Sequence, residues 1–220
     1  ILENYKKIAP EKIAVTYEAC EDFCILNQNK DEEILAGYGI IKPYLLYVGN
    51  AYPHKNLEKL VEAFSLLYKN YPSLNLVLVG REDYFYARLK KFVKDNEIKN
   101  IIFPGYIPDN DLDVVYKKAQ LYVFPSLYEG FGIPPLEAMA KGVPVISSDH
   151  SCMREVLGDS AHFFDGKNID AIAEAIKKII DDENLRQELV KKGYEQIKKY
   201  SWKKMAEETL EVYKNIEKQK

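Results

Sequence analysis

Two glutamates, two glycines and two prolines fall within the segment Tyr128-Glu129-Gly130-Phe131-Gly132-Ile133-Pro134-Pro135-Leu136-Glu137. Glycines on either side of Phe131 let the backbone approach a ligand closely or take up positive φ. Pro134 and Pro135 suit the first turn of a helix, where a missing N–H costs nothing. The free amides at such a helix start form a site for an anion such as a phosphate. Glu129 precedes the glycines and Glu137 is expected in the first helical turn, so two carboxylates can face one cavity from loop and helix. For either acid alone a plainer reading stays open: Glu137 complements the helix dipole, and Glu129 is a solvated loop acid. The joint pattern at a strand end favours a ligand site.

Three further segments leave a strand in the same way. Gly49-Asn50-Ala51-Tyr52-Pro53-His54-Lys55-Asn56 enters a helix. A lysine near that helix start opposes the dipole, a cost that a bound polyphosphate would offset. Alternatively, Lys55 is a surface lysine with Asn56 as N-cap. Arg81, in Gly80-Arg81-Glu82, could reach a phosphate or pair with an acid, and Gly105-Tyr106-Ile107-Pro108 could offer backbone groups to a nucleobase. The glycines do not make the G-x-G-x-x-G dinucleotide fingerprint. His54, His150 and His162 are unclustered and there is no Asp-x-Asp, so no metal site is expected. A G-x-S-x-G hydrolase elbow is also absent.

The elements that must position these segments are legible from Pro43 onward. Strands are expected at Tyr44–Gly49, Leu74–Gly80, Asn100–Gly105, Leu121–Pro125, Val143–Ser147 and Ala161–Phe164, short apolar runs of which several close on glycine or proline. Helical spacing marks Leu57–Leu67, Asp83–Asn96, Asp109–Lys118, Pro134–Lys141, Ile169–Asp181, Leu185–Lys199 and Trp202–Ile216. Strands alternating with crossover helices imply an α/β, doubly wound, Rossmann-like parallel sheet, with ligands beyond the carboxyl ends of its strands. Before Pro43 the pattern changes. Lys12–Tyr17 reads as an added strand, and Glu18–Lys42 as a connecting loop with a short helix at Asp31–Gly37.

Composition narrows the class. The 220 residues are 47% hydrophobic, which suits a globular chain. A net charge of -3, with mixed charges and no basic cluster, speaks against a nucleic-acid partner. Cys20, Cys24 and Cys152 make neither a disulfide framework nor a zinc set and read as reduced thiols, which fits a cytoplasmic setting.

Together these segments resemble the retaining glycosyltransferases of family 4, which have the two-domain GT-B architecture. Glu129 through Glu137 matches the family's E-x7-E motif with its P-x-x-E ending. Lys55 matches its phosphate-binding lysine, and Tyr106-Ile107 its base-holding segment. Tyr200-Ser201-Trp202 resembles the start of its final helix, and the resemblance runs from Ala9 to Ile216. It implies that Glu129 holds hydroxyls of the transferred sugar, with the backbone of Gly130, Phe131, Gly132 and Ile133 alongside. Glu137 would bind the ribose hydroxyls and Lys55 the diphosphate, with Gly49, Asn50, Arg81 and Ile107 completing the donor site. Family members usually carry Arg near position 50, so Asn50 leaves Lys55 and Arg81 to neutralise the diphosphate.

The G-N-x-x-x-H-K-N wording is similar to that of bacterial and archaeal mannosyltransferases, making GDP-mannose the expected donor and a UDP-sugar the alternative. The implied reaction moves a hexose, with retention, to a glycan or lipid-linked acceptor. A donor phosphate oxygen serves as base, Lys55 and helix-start amides stabilise the leaving diphosphate, and no metal or other cofactor is expected. Residues 1–42 would form a lead-in segment, 43–200 the nucleotide-sugar domain, and 201–220 a helix crossing back to a missing N-terminal acceptor domain. The isolated chain is then expected to bind donor weakly without turnover. The full enzyme would work in the cytoplasm, with peripheral association at the inner face of the membrane. Competing readings are a non-enzymatic nucleotide-sensing or protein-interaction module, or another GT-B enzyme such as a sugar-nucleotide epimerase or a glycan phosphorylase.

Overall fold

The computed structural model describes residues 7–20 and 30–217. Its centre is a six-stranded sheet of β1 (Tyr44–Val48), β2 (Asn75–Val79), β3 (Ile101–Gly105), β4 (Leu121–Phe124), β5 (Val145–Ser148) and β6 (Ala161–Phe164). The strands lie in the order β3-β2-β1-β4-β5-β6, with all neighbours parallel. Leu45 of β1 pairs with Leu76 of β2 on one side and Leu121 of β4 on the other. The chain order therefore reverses between β1 and β4, which is where a doubly wound sheet opens a crevice at its carboxyl edge.

The strand sequences follow from this position. β2 and β4 are buried along their whole length and β1 along all but Val48. A sheet covered by helices on both faces selects such continuous apolar runs over alternating ones. Helix α2 (Leu57–Leu67) packs against α3 (Tyr84–Asp95) and α7 (Ile169–Asp181). Helix α5 (Ile133–Ala140) packs against α4 (Asp109–Lys117) and α8 (Glu183–Ile197), and α1 (Asp31–Gly37) lies on α4. Helix α9 (Trp202–Glu217) buries no residue fully.

All six strands and the anticipated helices are present, including α1. Two features differ. Lys12–Tyr17 is not a strand: a 3-10 turn at Pro10–Lys12 runs into extended chain outside the sheet, with Val15 64% exposed. A β-branched run forms a strand only where an edge offers a ladder partner, and here its Tyr17 is used for packing. The connecting loop expected from Glu18 lies partly, with Cys24, outside the described residues. The second difference is an unanticipated helix, α6 (Ser151–Leu157), between β5 and β6. Cys152 is a free thiol. Among the described residues no helix is long and apolar enough to cross a membrane.

Candidate functional site

Every segment singled out for chemistry leaves the carboxyl end of a strand. The loops after β1 and β4 matter most, because those strands are neighbours at the reversal point. From the first loop comes Lys55, and from the second Glu129. Lys55 Nζ lies 2.5 Å from Glu129 Oε1, with only 16% and 13% of the side chains exposed. Lys55 Nζ also stands 5.9 Å from the centre of the Phe124 ring at the end of β4. Half-buried charges in such a setting need a partner, and each supplies the other's.

The β1 loop is held by hydroxyls from the core. Tyr122 donates to the Val48 carbonyl at 3.3 Å, Tyr86 to the Gly49 carbonyl at 2.9 Å, and Tyr47 to the Asn50 carbonyl at 2.8 Å. Three successive carbonyls at the end of β1 are thereby satisfied from below. Burial raises the pKa of all three tyrosines, and the carboxylates of Glu129 and Glu137 push Tyr122 further. The hydroxyls thus stay donors across any ordinary pH.

Asn56 closes this loop differently from expectation. It occupies the N-cap position of α2 with φ 61°, but its side chain makes no capping bond. Instead its amide donates to the carbonyls of Pro125, at 3.1 Å, and Gly166, at 2.7 Å. Leu127 N–H adds a bond to the His54 carbonyl at 2.8 Å. The loops after β1, β4 and β6 are stitched together at this residue.

The β4 loop reaches α5 through Gly132, whose φ of 93° suits glycine. Glu137 is the fifth residue of α5 rather than part of its first turn, because the helix starts at Ile133. It accepts a hydrogen bond from Tyr116 at 2.8 Å, and burial also raises that tyrosine's pKa. Helix α6 supports the loop from behind. The Cys152 thiol donates to the Glu129 carbonyl at 3.2 Å, and Met153 lies where a Cβ on Gly132 would go. Burial first, and then the Glu129 carboxylate, raise the Cys152 pKa, so it stays a thiol donor. Phe131 turns its ring onto Tyr17 and Tyr200, with centroids 5.9 and 5.3 Å away.

Beyond β1, β2 and β3 lies an open cavity of about 470 Å³ lined by Gly49, Asn50, Arg81, Tyr106, Ile107 and Asp109. Ile107 is buried beneath it and Tyr106 is 57% exposed, with the Arg81 guanidinium 5.3 Å from its ring centre. Gly80 can have no Cβ here, since one would strike the Gly49 carbonyl and the Tyr86 ring. Glycine there lets β2 end against the β1 loop. The sequence-derived residues thus fall into three groups. Lys55 and Glu129 touch directly, Gly49, Asn50, Arg81 and Ile107 share a cavity, and Gly130 to Ile133 with Glu137 run from the β4 loop into α5.

Sequence reasoning missed the supports: Tyr47, Tyr86, Tyr116, Tyr122, Asn56 as a bridge, and α6. For Tyr47 and Tyr122 the available signal was tyrosine inside otherwise aliphatic strands, since a buried hydroxyl must find an acceptor, whereas Tyr86 and Tyr116 sit on helices α3 and α4. Among the described residues no cluster of three or more His, Cys, Asp or Glu is arranged to hold a metal.

Comparison with known proteins bears on the family and the fold. The chain is 33% identical over 214 residues to O-antigen chain mannosyltransferase B of Escherichia coli, covering 93% of this chain and 55% of that protein. It is 35% identical over 171 residues to an O-antigen chain mannosyltransferase of Salmonella typhimurium, covering 77% and 44%. The chain therefore spans about half the length of these curated relatives. The crystal structure of a glycosyltransferase from Rickettsia africae superposes with a TM-score of 0.87 at 22% identity, covering 100% of this chain and 61% of that one, a likeness of fold. The model for glycosyl transferases group 1 matches residues 31–196, and with its Rossmann-like sheet the chain belongs to that family of GT-B fold.

Proposed function

We propose that this chain is the donor-binding half of a retaining, family 4 glycosyltransferase, and that its donor is GDP-mannose. The observation that carries the reading is the meeting of Lys55 and Glu129 at 2.5 Å, from two loops on adjacent strands at the reversal point. A nucleoside diphosphate sugar needs a cation for its diphosphate beside an acceptor for its sugar hydroxyls, and this pair offers both. Glu137, oriented by Tyr116, would take the ribose hydroxyls. The backbone of Gly130 to Ile133 would line the sugar, and the cavity at Gly49, Asn50, Arg81 and Ile107 the base and diphosphate.

Two considerations favour GDP-mannose. Both curated relatives above are named mannosyltransferases. Asp109 also lines the cavity beside Ile107 and Tyr106. A carboxylate accepts the adjacent N1–H and N2–H donors of guanine, a pair that uracil and adenine do not present.

In the transfer step Lys55, with Arg81 and the amides at the start of α5, would stabilise charge as it develops on the departing diphosphate. A donor phosphate oxygen would take the acceptor proton, so no metal enters the proposal. The acceptor, a glycan or lipid-linked glycan, would be held by an N-terminal domain preceding residues 1–42. Helix α9, with no fully buried residue, would pack across to it, and the whole enzyme would work on the cytoplasmic side of the membrane. The isolated chain then binds donor without turnover.

Thermal-shift titration with GDP-mannose, UDP-glucose and ADP-glucose tests the reading. Ligand that binds only the native state raises the melting temperature. GDP-mannose is expected to give the largest rise. A larger rise with UDP-glucose contradicts the donor assignment, and full glycosyl transfer by this chain alone contradicts the half-site assignment.

A further inference from the structure

We propose that Tyr17 and Tyr200 are positioning residues for the sugar end of the donor site, acting through Phe131 on the loop that carries Glu129. Tyr17 lies before the first strand and Tyr200 just before α9, so they flank the sheet in sequence. They meet on one ring: Tyr17 is 5.9 Å and Tyr200 5.3 Å from Phe131, and the two tyrosine rings are 5.8 Å apart. Edge and tilted contacts at these distances are attractive beyond the area they bury.

Both hydroxyls are tied to the same short helix. Tyr17 donates to the Glu155 carboxylate, and Tyr200 donates to the Val156 carbonyl at 2.8 Å. Gln196 donates to that same carbonyl at 2.7 Å. Helix α6 also carries Cys152, whose thiol holds the Glu129 carbonyl, and Met153, which packs against Gly132. Residues 129, 131 and 132 are therefore fixed by one assembly of Tyr17, Tyr200 and α6. Lys55 and Glu137 hang from other elements, namely the core-held β1 loop and the Tyr116 hydroxyl.

That division gives the proposal a specific signature. Loosening the aromatic assembly should displace the Glu129 loop and disturb contacts to the sugar. The contacts of Lys55 and Arg81 with the diphosphate and of Glu137 with the ribose, set elsewhere, should persist. A merely structural role would weaken every ligand alike or lower only the melting temperature.

The inference rests on the donor-site reading above, and calorimetric titration separates the two. GDP and GDP-mannose are titrated into the wild-type chain and into Tyr17→Leu, Tyr200→Leu and Tyr17→Phe, with melting temperatures recorded. Each leucine variant is expected to keep GDP affinity within about twofold and to lose about tenfold for GDP-mannose, the size of one aromatic contact set. Tyr17→Phe, which keeps the ring, is expected to restore GDP-mannose affinity to within about threefold of wild type. Equal changes for the two ligands, or no change in either leucine variant, overturn the inference while leaving the donor site standing. Should one leucine variant fail to fold, the other removes its own ring contact with Phe131 and decides alone. A wild-type chain that binds neither ligand overturns the donor-site reading and this inference with it.

Discussion

The two loops that meet at Lys55 and Glu129 are held in opposite ways. The loop after β1 is fixed from beneath, by three core tyrosine hydroxyls on consecutive carbonyls and by the Asn56 bridge. The loop after β4 shares that bridge at Pro125, but its Glu129–Gly132 stretch is fixed from outside, by α6 and by tyrosines that flank the sheet in sequence. A group held by a packed core shifts only when the core does, because interiors leave few voids to relax into. A group held by peripheral segments shifts when those segments do. The site thus joins a rigid cation to a carboxylate whose placement can follow the rest of the chain.

Substitutions can break this contrast, beginning with the core-held loop. Gly80→Ala places a Cβ against the Gly49 carbonyl and 2.5 Å from the Tyr86 ring. Backbone cannot yield there as a flexible side chain could, so a loss of about 3 kcal/mol is expected. That corresponds to a fall of roughly 6–12 °C in melting temperature. A tolerated alanine would mean that the core does not fix this loop.

Lys55→Ala removes the cation and leaves a Glu129 carboxylate that is only 13% exposed without its partner. Isothermal titration is expected to show GDP binding about 100-fold weaker, at the lower end for losing one partner of a buried charge contact. An unchanged GDP affinity would assign the diphosphate to Arg81 instead.

Asn56 separates backbone geometry from bonding. Asn56→Gly keeps the left-handed conformation but removes both bridging bonds, for about 2 kcal/mol by urea denaturation. Asn56→Ala should cost about 1 kcal/mol more, the strain of a Cβ at positive φ. Equal losses for the two would show that φ 61° is not enforced.

Tyr116→Phe sharpens the comparison with the smallest expected effect. One hydrogen bond to Glu137 disappears while the ring stays. GDP binding should weaken by about fivefold, near 1 kcal/mol, and the ratio of GDP to GDP-mannose affinity should hold. A changed ratio would place Glu137 against the sugar rather than the ribose.

Much of the frame was legible before any coordinates. The runs Tyr44–Gly49, Leu74–Gly80 and Leu121–Pro125 are apolar without alternation, which only a doubly covered strand requires. Glu129 and Lys55 were legible too, as charged residues just past strand ends where a fold of this class binds ligands. The supports were not. A tyrosine in a strand reads as one more apolar residue, and its hydroxyl's acceptor depends on which loop folds above it. Helix α6 has seven residues, too few for a helical period to stand out in Ser-Cys-Met-Arg-Glu-Val-Leu. Asn56 looked like a cap because asparagine favours that position, yet its amide had stronger use between two carbonyls. Local preference misled at Lys12–Tyr17 for the related reason that a strand is completed by its neighbour, not by its own residues.

The proposed donor site is tested most directly by titrating GDP-mannose into the wild-type chain and into Glu137→Ala, with folding checked by melting temperature. The expected result is saturable binding by the wild type and at least a tenfold loss in the variant at an unaltered melting temperature. Equal affinity in both folded proteins would contradict a donor site at Glu129–Glu137, and would leave the motif a structural element of a binding module.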